Sequence, residues 1–242
     1  MTRLTSCLDA ETVAQRAAAH VARQLQRARE ERGVAHLALS GGTTPGRTYE
    51  LLGAADAHDL DGVELWFADE RCVGPDDEQS NYRLVAQTLL AGADVAHERV
   101  HRMQGELGPD AGAGSYADEL AQSFSDDAGS PSGTPVLDLV VLGIGPDGHV
   151  ASLFPGAATL DAGEDAVCLG VSDSPKPPPE RITLSLAVLR AARECLLLAT
   201  GASKADAVSA MLAEPSRHVP ASLLRRERLT VIVDDAAGPK GP

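Results

Sequence analysis

The sequence predicts an α/β fold: a single three-layer αβα domain over residues 1–242, Rossmann-like, built on a mainly parallel sheet. Three observations carry this. Short apolar runs alternate along the chain with longer segments of helical composition. The 242 residues, 43% hydrophobic and 23% charged, suffice for one well-formed core. No internal repeat and no linker rich in Pro, Gly or Ser divides the chain.

The elements follow in order. Residues 9–32 contain no proline or glycine and predict a long helix, with Asp9 as N-cap and Gly33 as C-cap. Residues 34–39 form a short strand, followed by Ser40-Gly41-Gly42-Thr43-Thr44 and by Pro45 in the first turn of a helix to about Leu52. Residues 63–67 form a strand ending in Ala68-Asp69-Glu70-Arg71, and Ser80-Asn81 opens a helix through Leu90. Residues 109–124 are helical and 125–135 a loop. The apolar run 137–142, with one acid, predicts a buried strand feeding a glycine turn, and 166–171 predicts the next strand. Four prolines within 175–179 exclude helix and inner strand. Residues 182–189 and 195–199 are apolar, 203–212 a helix and 229–233 a final strand.

Composition narrows the partners. A net charge of −14 argues against nucleic acid and anionic membranes. The one basic cluster, Arg225, Arg226 and Arg228, is interrupted by Glu227 and reads as a solvated helix end. Lysine is scarce: Lys176, Lys204 and Lys240 only. Cys7, Cys72, Cys168 and Cys195 show no paired spacing and read as reduced packing residues. No leader is visible, and no apolar run reaches about 18 residues, so the expected location is cytoplasmic. Oligomeric state is not legible.

In parallel α/β sheets ligands bind at the carboxyl ends of strands, and four polar motifs sit there. Ser40, Gly41, Gly42 and Thr43 join a strand to a helix, where free amides and the helix dipole favour a phosphate monoester; a plain capped helix start is the alternative. Thr200-Gly201-Ala202-Ser203-Lys204 repeats the arrangement and adds an ammonium, unusual where the dipole opposes a cation. Asp69-Glu70-Arg71 offers a guanidinium fork for phosphate or oxyanion, or else a local Arg71–Glu70 salt bridge. Arg181, after the proline run, is a second fork. In the glycine turn, Asp147 and His149 bring a carboxylate beside an imidazole that titrates near neutrality.

Two motifs mislead. Gly143-x-Gly145-x-x-Gly148 matches the dinucleotide pattern, but the nearby acids Glu164 and Asp165 precede the next strand instead of ending it. His97-Glu98-Arg99-Val100-His101 matches a zinc-protease pattern, yet lies between Gly92 and Gly105 with little helical amphipathicity and no third ligand. Neither a metal nor an organic cofactor is expected. His20, His36, His58 and His218 read as surface or packing residues.

Together the segments LALSGGTTP (37–45), WFADERCV (66–73) with SNYRL (80–84), LDLVVLGIGPDGHVASLFPG (137–156), RITLSLAVL (181–189) and TGASKADAV (200–208) resemble the 6-phosphogluconolactonase family. That family belongs to a wider group with the glucosamine-6-phosphate isomerases/deaminases. The deaminase branch carries a tyrosine where this chain has Arg71, and a glutamate where it has Phe154; both positions resemble the lactonase branch.

The resemblance implies hydrolysis of 6-phosphogluconolactone to 6-phosphogluconate in the oxidative pentose phosphate pathway, a phosphorylated sugar lactone being the partner. It implies that His149 activates water and Asp147 orients the imidazole or holds sugar. Arg71 and amides of the glycine turn, Gly145 among them, would meet the oxyanion. Residues 40–43, Lys204 and Arg181 would hold phosphate, with Asp69 at the substrate. Which of Arg71, Arg181 and Lys204 faces phosphate and which the carbonyl stays open here. A sugar-phosphate isomerase/deaminase and a non-catalytic sugar-phosphate sensor are the alternatives; sensors of that kind usually carry a DNA-binding segment, and none is present.

Overall fold

The computed structural model describes residues 2–55, 60–125 and 133–239. His58, Lys240 and most of the 125–135 loop lie outside these residues. Six strands form a wholly parallel sheet: β1 (Arg3–Cys7), β2 (Ala35–Leu39), β3 (Val63–Phe67), β5 (Leu139–Gly143), β8 (Glu194–Ala199) and β9 (Leu229–Asp234), ordered β1-β9-β8-β5-β2-β3. Three short strands, β4 (Asp69–Arg71), β6 (Cys168–Val171) and β7 (Arg181–Leu184), pair antiparallel in a second sheet, ordered β4-β7-β6.

Helix α1 (Ala10–Arg32) links β1 to β2 and packs across β9, β8 and β5 on the way. Its cap is the expected one: Asp9 accepts from the Thr12 amide at 2.8 Å, and Gly33 closes the helix at φ 81°. Helix α2 (Thr43–Gly53) packs beside α1, and α3 (Asn81–Thr88) packs on α2 and β4. Helix α4 (Pro109–Ser123) covers the small sheet. Helices α5 (Leu186–Ala191) and α6 (Ala205–Leu212) join β7 to β8 and β8 to β9. One hydrophobic core runs through both sheets, from Leu37 and Val141 to Ile182 and Leu184.

The differences from expectation have local causes. Strand β1 went unpredicted because RLTSC has only two apolar residues; it gains its order from parallel pairing to β9 at the sheet edge. Of the expected strand 166–171, Cys168–Val171 forms one, but in the antiparallel sheet. The stretch 182–189 is a strand and a helix, broken at Ser185, whose hydroxyl caps α5 through the Val188 amide. Arg226–Arg228 is a short 3-10 turn leading into β9, not a helix end.

The chain leaves β2 toward β3 on one side, while β5 lies on the other. Strands β2 and β5 therefore flank the switch point, where a crevice opens beyond their carboxyl ends. The loops 40–44 and 143–149 leave from those two ends, and 200–204 leaves from the neighbouring β8.

Candidate active site

Ten of the predicted site residues line one cavity of about 220 Å³ at this switch point: Ser40, Gly41, Gly42, Thr43, Asp69, Arg71, Gly145, His149, Arg181 and Lys204. Asp147 is exposed and does not line the cavity itself but contacts His149, which does. Its Oδ1 lies 2.5 Å from the imidazole Nδ1. Burial pushes the Asp147 carboxyl up, but His149 and Lys176 outweigh it and hold the group below the usual range. An ionised carboxylate only accepts, so Nδ1 carries the proton and Nε2 is the basic nitrogen. For His149, burial is the largest influence; with the Lys176 cation it outweighs Asp147 and holds the imidazole below its ordinary value. The ring packs on buried Phe154, centroids 4.6 Å apart.

The glycine turn serves this pair by leaving space. A Cβ on Gly145 would overlap Nδ1 and Cε1 of His149 and Oδ1 of Asp147. Its amide donates to the His149 carbonyl at 2.9 Å, and the Gly148 amide returns to Gly145 O at 2.9 Å. Gly143 donates to Ser40 Oγ at 3.3 Å, stitching the two switch-point loops together. These three amides have their acceptors within the protein. The pattern Gly143-x-Gly145-x-x-Gly148 also opens no helix, since the chain continues into turns.

The loop 40–44 enters α2 with no side-chain cap. Gly42, Thr43 and Thr44 line the cavity at the start of α2, where first-turn amides lack intrahelical acceptors. In the cavity lining, Thr44 Oγ1 and Thr200 Oγ1 are hydrogen-bonded at 2.6 Å. The loop after β8 differs from its expected likeness, because the Asp234 carboxylate takes the Gly201 amide at 2.9 Å. Lys204 remains there on a short 3-10 turn, its ammonium held below the ordinary lysine value by burial and then by the Lys176 charge.

Glu70 does not pair with the Arg71 guanidinium. Its buried carboxylate accepts from the amides of Arg71, Asn81 and Tyr82 at 2.7–2.8 Å and from Ser80 Oγ at 3.0 Å, clamping the start of α3. Burial raises its pKa, against those hydrogen bonds. Arg71 holds the Gln79 carbonyl through Nη1, while its buried Nε has no hydrogen-bond partner. Asp69 is engaged at both oxygens, by Ser152 Oγ at 2.7 Å and Asn81 Nδ2 at 3.1 Å. Arg181 uses Nε and Nη2 on the carbonyls of Pro178, Lys176 and Pro177 at 3.1–3.2 Å and stacks over Phe154. These bonds brace the proline loop.

Sequence reasoning missed Lys176, whose Nζ lies 3.3 Å from both Asp147 Oδ1 and His149 Nδ1. The scarcity of lysine was the available signal. Asn81 and Ser152, which clasp Asp69, carried none. The zinc-like motif is resolved by geometry: His97 lies on a 3-10 turn, and His101 stacks on Trp66 with its nitrogens 2.7 and 2.9 Å from Glu119 and Glu64. His20 and His36 are packing residues with polar partners, Glu194 and Trp66 respectively. The four cysteines are free. Among the described residues, no helix is long and apolar enough to cross a membrane.

Comparison with known proteins gives this cavity its context. The sequence model described as "Glucosamine-6-phosphate isomerases/6-phosphogluconolactonase" matches residues 8–233. The chain is 38% identical to a 6-phosphogluconolactonase of Streptomyces coelicolor, covering 97% of this chain and 92% of that protein. It is 39% identical to the 6-phosphogluconolactonase of Homo sapiens, over 83% of this chain and 78% of that one. A solved structure of 6-phosphogluconolactonase from Trypanosoma cruzi superposes with a TM-score of 0.86 at 26% identity, covering 98% of this chain and 96% of that chain. The chain therefore belongs to the glucosamine-6-phosphate isomerase/6-phosphogluconolactonase family.

Proposed function

We propose that this chain hydrolyses 6-phosphogluconolactone to 6-phosphogluconate in the oxidative pentose phosphate pathway, acting in the cytoplasm as a single domain. The observation that carries it is the Asp147-held imidazole in the wall of a cavity that also contains the uncapped start of α2 and Lys204. The cavity thus brings together a base and residues suited to an anion.

In the proposed mechanism, neutral His149 takes a proton at Nε2 from a water that attacks the lactone carbonyl. The tetrahedral intermediate collapses with cleavage of the bond from the carbonyl carbon to the ring oxygen. The imidazolium returns the proton to that oxygen, and the new carboxylic acid releases its remaining proton to solvent to give the product carboxylate. Asp147 keeps the tautomer and stabilises the transient imidazolium. Arg71, which lines the cavity, meets the developing oxyanion with its guanidinium. The first-turn amides of α2 and Lys204 bind the phosphate and so fix the carbonyl against the base. Arg181 acts indirectly, by bracing the loop that carries Lys176.

Phe154 favours lactonase over deaminase chemistry within the family. It packs its ring on His149 where the deaminase branch carries a glutamate, so the site has no carboxylate there to shuttle a proton. The test pairs two assays on one preparation: lactone hydrolysis corrected for spontaneous opening, and ammonia release from glucosamine 6-phosphate. Lactone turnover without ammonia supports the proposal, and ammonia release without lactone turnover refutes it.

A further inference from the structure

We propose a second anion site at the opposite edge of the parallel sheet, suited to a ligand carrying a chain of two or more phosphates. Residues 190–193 and 223–228 precede β8 and β9, so they gather at the amino ends of those strands, away from the catalytic crevice. They line a cavity of about 730 Å³ to which Arg190, Arg193, Arg225, Arg226 and Arg228 contribute, against two carboxylates, Glu164 and Glu227. A surplus of guanidinium is conspicuous in a chain of net charge −14.

The adjoining cavity supplies the contrast. There Arg3 pairs with Glu194, Arg27 with Glu31, and Arg32 with Glu31 and Asp138, at 2.6–2.9 Å. In the larger cavity only Arg193 has an acid partner among the described residues, Asp138 at 3.2 Å. Three others are oriented by backbone carbonyls, which fix a guanidinium without neutralising it. Arg190 donates to Leu223 O at 2.8 Å, Arg228 to Ala191 O at 2.8 Å, and Arg226 to Ala213 O. Arg225 is exposed and has no partner among the described residues. Charged forks held in place but left unneutralised match phosphate oxygens, which they can bind in bidentate fashion. The cavity volume is within the range of small-molecule sites, roughly 300–1,000 Å³.

The test is calorimetric titration of the full chain with sodium triphosphate at moderate salt. One saturable site is expected. Arg225→Gln, which removes no contact within the protein, should weaken it by about tenfold or more, and Glu227→Gln should tighten it. Lys204→Ala should leave it unchanged, which separates this site from the catalytic cavity. A parallel titration with ATP distinguishes the sources: equal affinity assigns the free phosphate chain, tighter binding a nucleotide. Absence of saturable heat, unchanged affinity in Arg225→Gln, or loss only in Lys204→Ala would overturn the proposal. So would displacement of triphosphate by a poly-glutamate peptide at lower concentration, which would reassign the face to an acidic protein.

Discussion

His149 and Asp147 meet through Nδ1 and Oδ1 at 2.5 Å, and that contact fixes which imidazole nitrogen is free to act as a base. The same imidazole is half-buried and lies 3.3 Å from the Lys176 ammonium; burial and that cation lower its proton affinity, while the Asp147 and Asp69 carboxylates raise it.

The pH profile follows from their sum. The base must be unprotonated to work, and its pKa is lowered, so kcat/KM should rise with pH through a limb below the ordinary histidine value of about 6.5. Lys176→Met removes a cation that disfavours imidazolium; the limb should move to higher pH. A limb that stays in place in this variant would show that Lys176 does not tune the base.

Gly145→Ala tests the turn. The added methyl would overlap both members of the pair, and a displacement of about 1 Å can cost about a hundredfold in rate. Turnover should fall by about that factor with the circular dichroism spectrum unchanged. Retained kcat would mean that the pair tolerates a shifted turn.

Lys204→Ala tests phosphate recognition. A charged hydrogen bond contributes about 1.5–3 kcal/mol, so kcat/KM on the phosphorylated lactone should fall roughly ten- to a hundredfold. The loss should largely vanish on unphosphorylated gluconolactone. Equal sensitivity of both substrates would assign Lys204 to the carbonyl or to the fold.

Glu70 is predicted to matter for stability. Glu70→Ala leaves the Asn81 and Tyr82 amides at the start of α3 without their acceptor. Urea denaturation should show a loss of about 1–3 kcal/mol. An unchanged midpoint would show that solvent or a neighbouring group replaces the clamp.

Five strands of the parallel sheet and the three polar loops 40–44, 143–149 and 200–204 were legible because each loop follows an apolar run that ends abruptly, which marks a strand's carboxyl end; the polar edge strand β1 was not. The small antiparallel sheet was not: β4 is Asp-Glu-Arg, three polar residues that become strand only by pairing with β7. Lys176 was hidden for a related reason. A proline run has no period, so nothing in sequence shows where its side chains aim. Asp69 and Arg181 were recognisable as functional residue types. Their bonds to Ser152 and to the proline-loop carbonyls depend on tertiary contacts between residues up to 83 positions apart.

The central claim is that His149 is the catalytic base, and the most direct measurement is the lactonase rate of His149→Ala, corrected for spontaneous hydrolysis, in protein whose fold is verified by circular dichroism. General acid–base groups contribute about 10²–10⁴ in rate, and a loss in that range is expected. A loss below about tenfold in correctly folded protein would contradict the account, because water attack would then proceed without the imidazole.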